Sequence, residues 1–119
     1  MTQLRLDAVT VDCADPVTLA AFWAELLGVS VRGTWEQYVG LQPQREGAPR
    51  LLFQRVDRPR PARNSLHLDL HVAGRAELDP AVDRALGLGA TFVETQDHGA
   101  LCWTVLADPE GNVFCIVAD

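Results

Sequence analysis

Long apolar runs are missing from this chain of 119 residues. None approaches the ~18 residues that a membrane span requires, so no membrane partner is expected. The opening MTQLRLDAVTVDC lacks the basic start and apolar block of a secretory signal. Cysteine is sparse and odd in number: Cys13, Cys102 and Cys115. That set does not make a disulfide framework, and it fits a reducing, cytoplasmic location. Positive charge is also short, with 10 Lys and Arg against 16 Asp and Glu and a net charge of −6. A polyanion binds a basic surface, so nucleic acid is not an expected partner. What remains, 48% apolar and 22% charged residues, is the composition of an ordinary globular chain with the length of one compact domain.

The order of elements repeats. LRLDAVTVDC (4–13) alternates and is β-branched, which predicts a strand. Asp15-Pro16 supplies an N-cap and a first-turn proline. Leu19, Phe22, Trp23, Leu26 and Leu27 then fall at helical spacing up to Gly28, a natural stop. VSVRGT, EQYVGLQ and PRLLFQRV predict three strands, with the loop QPQREGA between the last two. DRPRPARN (57–64) reads as a linker. The pattern then restarts with the strand NSLHLDLHV (64–72), a helix over ELDPAVDRALGL (77–88) and Gly89. TFVETQ, ALCWTVLA and NVFCIV predict three more strands, the last two joined by the turn Asp108-Pro109-Glu110-Gly111. Each half is too short to bury much core alone, so the halves are expected to pack together.

Within NSLHLDLHV, Leu66, Leu68 and Leu70 alternate with His67, Asp69 and His71. One face suits a helix-packed core. The other, with two imidazoles and a carboxylate, either meets water or lines a pocket. His67 and Asp69 lie two residues apart, about 7 Å along a strand, so contact between them needs favourable rotamers. In contact they would suit general acid–base work. Trp103 is expected to project into a cleft with Leu101 and Val105, and Cys115 with Val113 and Val117. Cys115 is alternatively a buried, inert thiol. Trp23 reads as a core or dimer residue, and Trp35 and Tyr38 as strand or turn residues. Arg58, Arg60 and Arg63 read as a solvated linker, with an anion site at the cleft mouth as the other reading.

ADPVTLAAFWAELLG (14–28), NSLHLDL (64–70), LGA (88–90) and LADPEGNVFCIV (106–117) together resemble the vicinal oxygen chelate superfamily, the glyoxalase/bleomycin-resistance fold, and most closely its glyoxalase-like domain proteins. The resemblance implies an α+β fold of two tandem βαβββ modules, 1–57 and 64–119, joined by the linker 58–63. It also implies one domain with a shared cleft between curved sheets, a small-molecule ligand and a homodimer.

Metal-dependent members place four ligands, typically His, Glu or Gln, on cleft-facing strands. The matching positions here are Ala8, Gln54, His67 and Cys115. A methyl group cannot coordinate, and a thiol stands where a glutamate is usual. No conventional metal site is therefore expected, although His67, Asp69 and Cys115 would form a substitute donor set if they converge. The expected function is binding of a small organic molecule, contacted by Gln54, His67, Asp69, His71, Trp103 and Cys115. The alternative is a lyase or isomerase using His67 and Asp69, with or without a divalent metal. Convergence of His67, Asp69, Gln54 and Cys115 would favour the enzyme.

Overall fold

A computed structural model of the protein describes residues 3, 5–57 and 66–118. The expected linker arginines Arg58, Arg60 and Arg63, with Asn64 and Ser65 of the expected fifth strand, lie outside the described residues. The chain divides into two compact units, 1–59 and 60–119. Each carries one four-stranded mixed sheet and one α-helix, as two βαβββ modules require.

The first unit runs β1 (Ala8–Cys13), α1 (Pro16–Leu27), β2 (Val31–Trp35), β3 (Tyr38–Leu41) and β4 (Arg50–Arg55). The sheet order is β1-β4-β3-β2, with β1 parallel to β4 and the other pairs antiparallel. A parallel neighbour demands a crossover, which α1 begins and β2 and β3 complete. α1 starts where the sequence signals it. Asp15 Oδ1 accepts from the Thr18 N–H at 3.2 Å, and Oδ2 accepts from the Thr18 hydroxyl at 2.7 Å. The Thr18 hydroxyl hydrogen bond, more than any other influence, lowers the Asp15 carboxyl below its ordinary pKa. Gly28 ends the helix at φ +70°, a conformation that suits a residue without Cβ. α1 buries Leu19, Ala20, Phe22 and Trp23 against β3 and β4, where Val39, Leu41 and Phe53 are also buried. Trp23 is thus a core residue, meeting Phe22 edge to face with ring centroids 5.4 Å apart.

The second unit repeats the plan with β5 (Leu68–Val72), a one-turn 3-10 helix (Arg75–Glu77), α2 (Leu78–Leu88), β6 (Thr91–His98), β7 (Leu101–Ala107) and β8 (Val113–Ala118). Its order, β5-β8-β7-β6, matches that of the first sheet, and β5 is again parallel to β8. Leu78, Val82 and Ala85 of α2 are buried, as are Leu106, Phe114 and Ile116 of the strands beneath. Pro80 sits in the first turn of α2, where its missing N–H costs nothing.

The fifth strand departs from expectation at its start. It begins at Leu68 rather than Asn64, so Leu66 precedes the ladder and is 80% exposed instead of joining the core. Leu68 and Leu70, inside the ladder, are half-buried.

The DPEGN turn is built around a buried carboxylate. Asp108 Oδ1 accepts from the N–H groups of Glu110 and Asn112, each at 2.9 Å, and the Asn112 side-chain amide donates to both carboxylate oxygens. Gly111 supplies the positive φ that closes the turn, +86°. This knot fixes the β7–β8 hairpin, and with it the register that sets Val105 opposite Cys115.

Candidate functional site

Register places the site. In the second sheet Asp69 pairs with Cys115, Cys115 with Val105, and Val105 with Glu94. One step along, His71 pairs with Val117, Val117 with Trp103, and Trp103 with Gln96. Directly paired residues point to the same face, so these two rows cross all four strands on the face opposite α2. A pocket of about 490 Å³ lies there. Its apolar wall is Leu101, Trp103, Val105, Val113 and Val117. Its polar lining is His67, Asp69, Glu94, Gln96 and the thiol residue Cys115.

The polar face of β5 therefore lines a pocket through His67 and Asp69. The rotamers favour contact: His67 Nδ1 and Asp69 Oδ1 are 2.9 Å apart, with side chains 45% and 58% exposed. Cys115 is buried and in no disulfide. One donor atom each from His67, Asp69 and Cys115 lie within 4.8 Å of one another. His71 shares the strand face but is exposed and not part of the pocket lining. Gln54 belongs to the first unit, half-buried on β4 between Asp12 and Tyr38. His67, Asp69 and Cys115, all of the second unit, are the expected residues whose donor atoms converge there.

Several site residues were not legible beforehand. Glu94 and Gln96 enter from β6, where the Gln96 amide donates to Glu94 Oε2 at 2.9 Å. His98 stacks on Trp103 with centroids 5.0 Å apart and planes 14° from parallel. The β6–β7 hairpin carrying both is tied to the 3-10 turn by Arg75. Its guanidinium donates to both Asp97 oxygens, at 2.9 and 2.7 Å, and to the Gly99 carbonyl at 2.7 Å. The Arg75 hydrogen bonds hold the Asp97 carboxyl well below the usual carboxylate range, and Asp97 in turn raises the Arg75 pKa. A bidentate arginine so placed fixes the hairpin that presents Trp103.

Two βαβββ units with a pocket walled by one sheet define a class of fold, and comparison with solved structures agrees. A glyoxalase/bleomycin resistance protein/dioxygenase family enzyme from Burkholderia phytofirmans PsJN superposes with TM-score 0.83 at 22% identity, over 97% of this chain and 98% of that one. The fosfomycin resistance protein FosX from Listeria monocytogenes gives TM-score 0.79 at 14% identity, over 99% and 95%. A glyoxalase/bleomycin resistance protein/dioxygenase from Nocardioides gives TM-score 0.79 at 12% identity, over 99% and 85%. At these identities the likeness shows the fold. The family is shown by sequence: the chain belongs to the glyoxalase-like domain family of the vicinal oxygen chelate superfamily, whose family model matches residues 8–117. No curated protein matches the sequence.

The metal used by metal-dependent relatives is a poor fit to the four implied positions. Ala8 offers a methyl group and Cys115 a thiol, which leaves His67 as a good ligand and Gln54, a neutral amide, as a possible one. A hard, oxygen-liganded cation has little to bind in that set. Register sharpens the mismatch. With Ala8 set as the counterpart of His67, as the resemblance implies, the ladders put Thr10 and Leu52 where the second unit has Asp69 and Cys115.

Proposed function

We propose that this protein binds a small organic molecule in the pocket of its second unit, without the conventional four-ligand metal set of its metal-dependent relatives. The observation that carries this reading is the pocket itself. Its volume of about 490 Å³ falls within the roughly 300–1,000 Å³ of small-molecule sites. A hydrocarbon and indole wall faces a small group of polar side chains, the arrangement that lets area supply affinity and a few hydrogen bonds supply orientation. Trp103, stacked on His98, offers a flat surface at low entropic cost. The same reading, with the family's precedent, carries a homodimer in the cytoplasm, which light scattering and cell fractionation check. No described helix is long and apolar enough to cross a membrane.

The test is a screen of small organic compounds in the presence of chelator, read by ligand-observed NMR. Hits are expected to lose about ten-fold or more in affinity in Trp103→Ala, and to be excluded by Val105→Arg, which fills the pocket. Hits that bind both variants as well as wild type would place the ligand elsewhere.

One observation favours a second reading. The 2.9 Å approach of Asp69 to His67 Nδ1 is how a carboxylate orients an imidazole for proton transfer, which supports a lyase or isomerase acting on the bound molecule. Under that reading His67→Ala abolishes turnover of a screened compound while weakening its binding by much less.

A further inference from the structure

We propose that His67, Asp69 and Cys115 form a three-residue site for a thiophilic divalent cation, zinc foremost. This goes beyond the binding reading and does not depend on it. The site lies within one unit and takes Asp69 as a donor, a residue outside the four positions implied by family resemblance. Its selectivity differs accordingly.

Three features carry the inference. The first is convergence. Asp69 and Cys115 are paired neighbours on adjacent parallel strands, and His67 lies two residues before Asp69 on the same face. Their donor atoms lie within 4.8 Å of one another. Bonds of about 2.0–2.3 Å in a tetrahedral site put donors roughly 3.3–3.8 Å apart. The remaining closure, about 1 Å, is within reach of χ rotations in the two exposed side chains, His67 and Asp69.

The second feature is donor chemistry. One imidazole nitrogen, one carboxylate oxygen and one sulfur suit zinc and poorly suit magnesium, calcium or manganese, which take oxygen. Three protein donors leave the fourth tetrahedral position facing the pocket, the arrangement of an open site rather than a closed structural one. The third feature is charge. The deprotonated thiol and the carboxylate together balance a divalent cation. No arginine lines the pocket among the described residues, and the chain has no lysine. The nearest additional carboxylate in the row, Glu94, stands two strands beyond Cys115, so the set stays at three.

The experiment uses the untagged full chain, stripped with chelator and titrated with cobalt(II). One equivalent is expected to bind, giving a near-ultraviolet thiolate-to-cobalt charge-transfer absorption that one equivalent of zinc removes. Cys115→Ser is expected to lose that absorption, and Cys102→Ser and Cys13→Ser to keep it. His67→Ala and Asp69→Asn are expected to weaken binding about ten-fold or more. In wild type, zinc is expected to slow alkylation of Cys115 and not of Cys102, read by mass mapping, which keeps the inference testable even if Cys115→Ser does not fold. Absence of stoichiometric uptake overturns the inference, as does an absorption that survives Cys115→Ser or vanishes with Cys102→Ser. Because the organic-ligand screen runs in chelator, failure of either proposal leaves the other standing.

Discussion

The helix-free faces of the two sheets are the same surface written in two chemistries. In the first sheet Ala8, Thr10 and Asp12 of β1 pair with Arg50, Leu52 and Gln54 of β4. In the second, Asp69 and His71 of β5 pair with Cys115 and Val117 of β8, with His67 one alternation earlier. Where the second unit has imidazole, carboxylate and thiol, the first has a methyl, a hydroxyl and a buried isobutyl group. The strand order and parallel pair that build these faces are identical. The backbone plan is therefore indifferent to what the open face does, and function rests on the side chains grafted onto it. The helix-packed faces, by contrast, repeat one task with similar residues: Phe53 and Phe114 are both fully buried.

The strongest way to break this comparison is to attack the shared task. Phe53→Ala and Phe114→Ala are each expected to cost about 3–5 kcal/mol in urea denaturation, through lost burial plus a residual cavity. A cost below about 1 kcal/mol at either site would mean that the two cores are not built alike. The next contrast lies between counterparts on the open faces. Leu52→Ala is expected to cost about 2–5 kcal/mol, because the first unit uses that position for packing. Cys115→Ala removes only a small thiol and is expected to cost about 1 kcal/mol. Equal losses would make Cys115 a packing residue too.

Asp108→Ala probes a feature of the second unit's last hairpin. Removing a buried acceptor of several N–H bonds is expected to cost about 2 kcal/mol and to loosen β7 against β8. The smallest effect concerns the Arg75–Asp97 clamp. Asp97 titrates below its ordinary range in the folded protein, so the unfolded state binds this proton at higher pH than the native state does. The stability it contributes is therefore full above about pH 4, the ordinary carboxylate value, and is lost as pH falls below that value. Asp97→Asn is expected to lower the melting temperature slightly at neutral pH and to match wild type near pH 2, which flattens the acid limb between about pH 4 and 2. An unchanged acid limb would assign that dependence to other carboxylates.

The sequence showed the face of β5 but not the rows that cross the sheet. His67, Asp69, Trp103 and Cys115 were found from alternation within their own strands, which needs no partner. Glu94 and Gln96 were missed because register is a long-range property, and because β6 shifts register between Phe92 and Glu94. That bulge gives Phe92 and Glu94 different partners' faces although they are two residues apart: Phe92 pairs with the buried Leu106, Glu94 with the pocket's Val105. The resemblance implies Gln54 from the last strand of the first module; with Ala8 matched to His67, the parallel ladder puts Leu52 level with Cys115. Arg75 carries no local signal, because its partners Asp97 and Gly99 lie more than twenty residues on. Leu66 lies two residues before the ladder and is 80% exposed, so alternation overstates its burial, whereas His67, one residue before the ladder, still lines the pocket.

The claim that the second unit's open face is the binding surface is most directly tested by methyl-labelled NMR of the whole chain, titrated with a screened compound in chelator. The expected result is movement of the Val105, Val113 and Val117 methyl signals, with those of Val39, Leu41 and Leu52 in the first unit and Val82 on α2 unmoved. Movement confined to the first unit or to the helix-packed face, with the pocket valines silent, would contradict it.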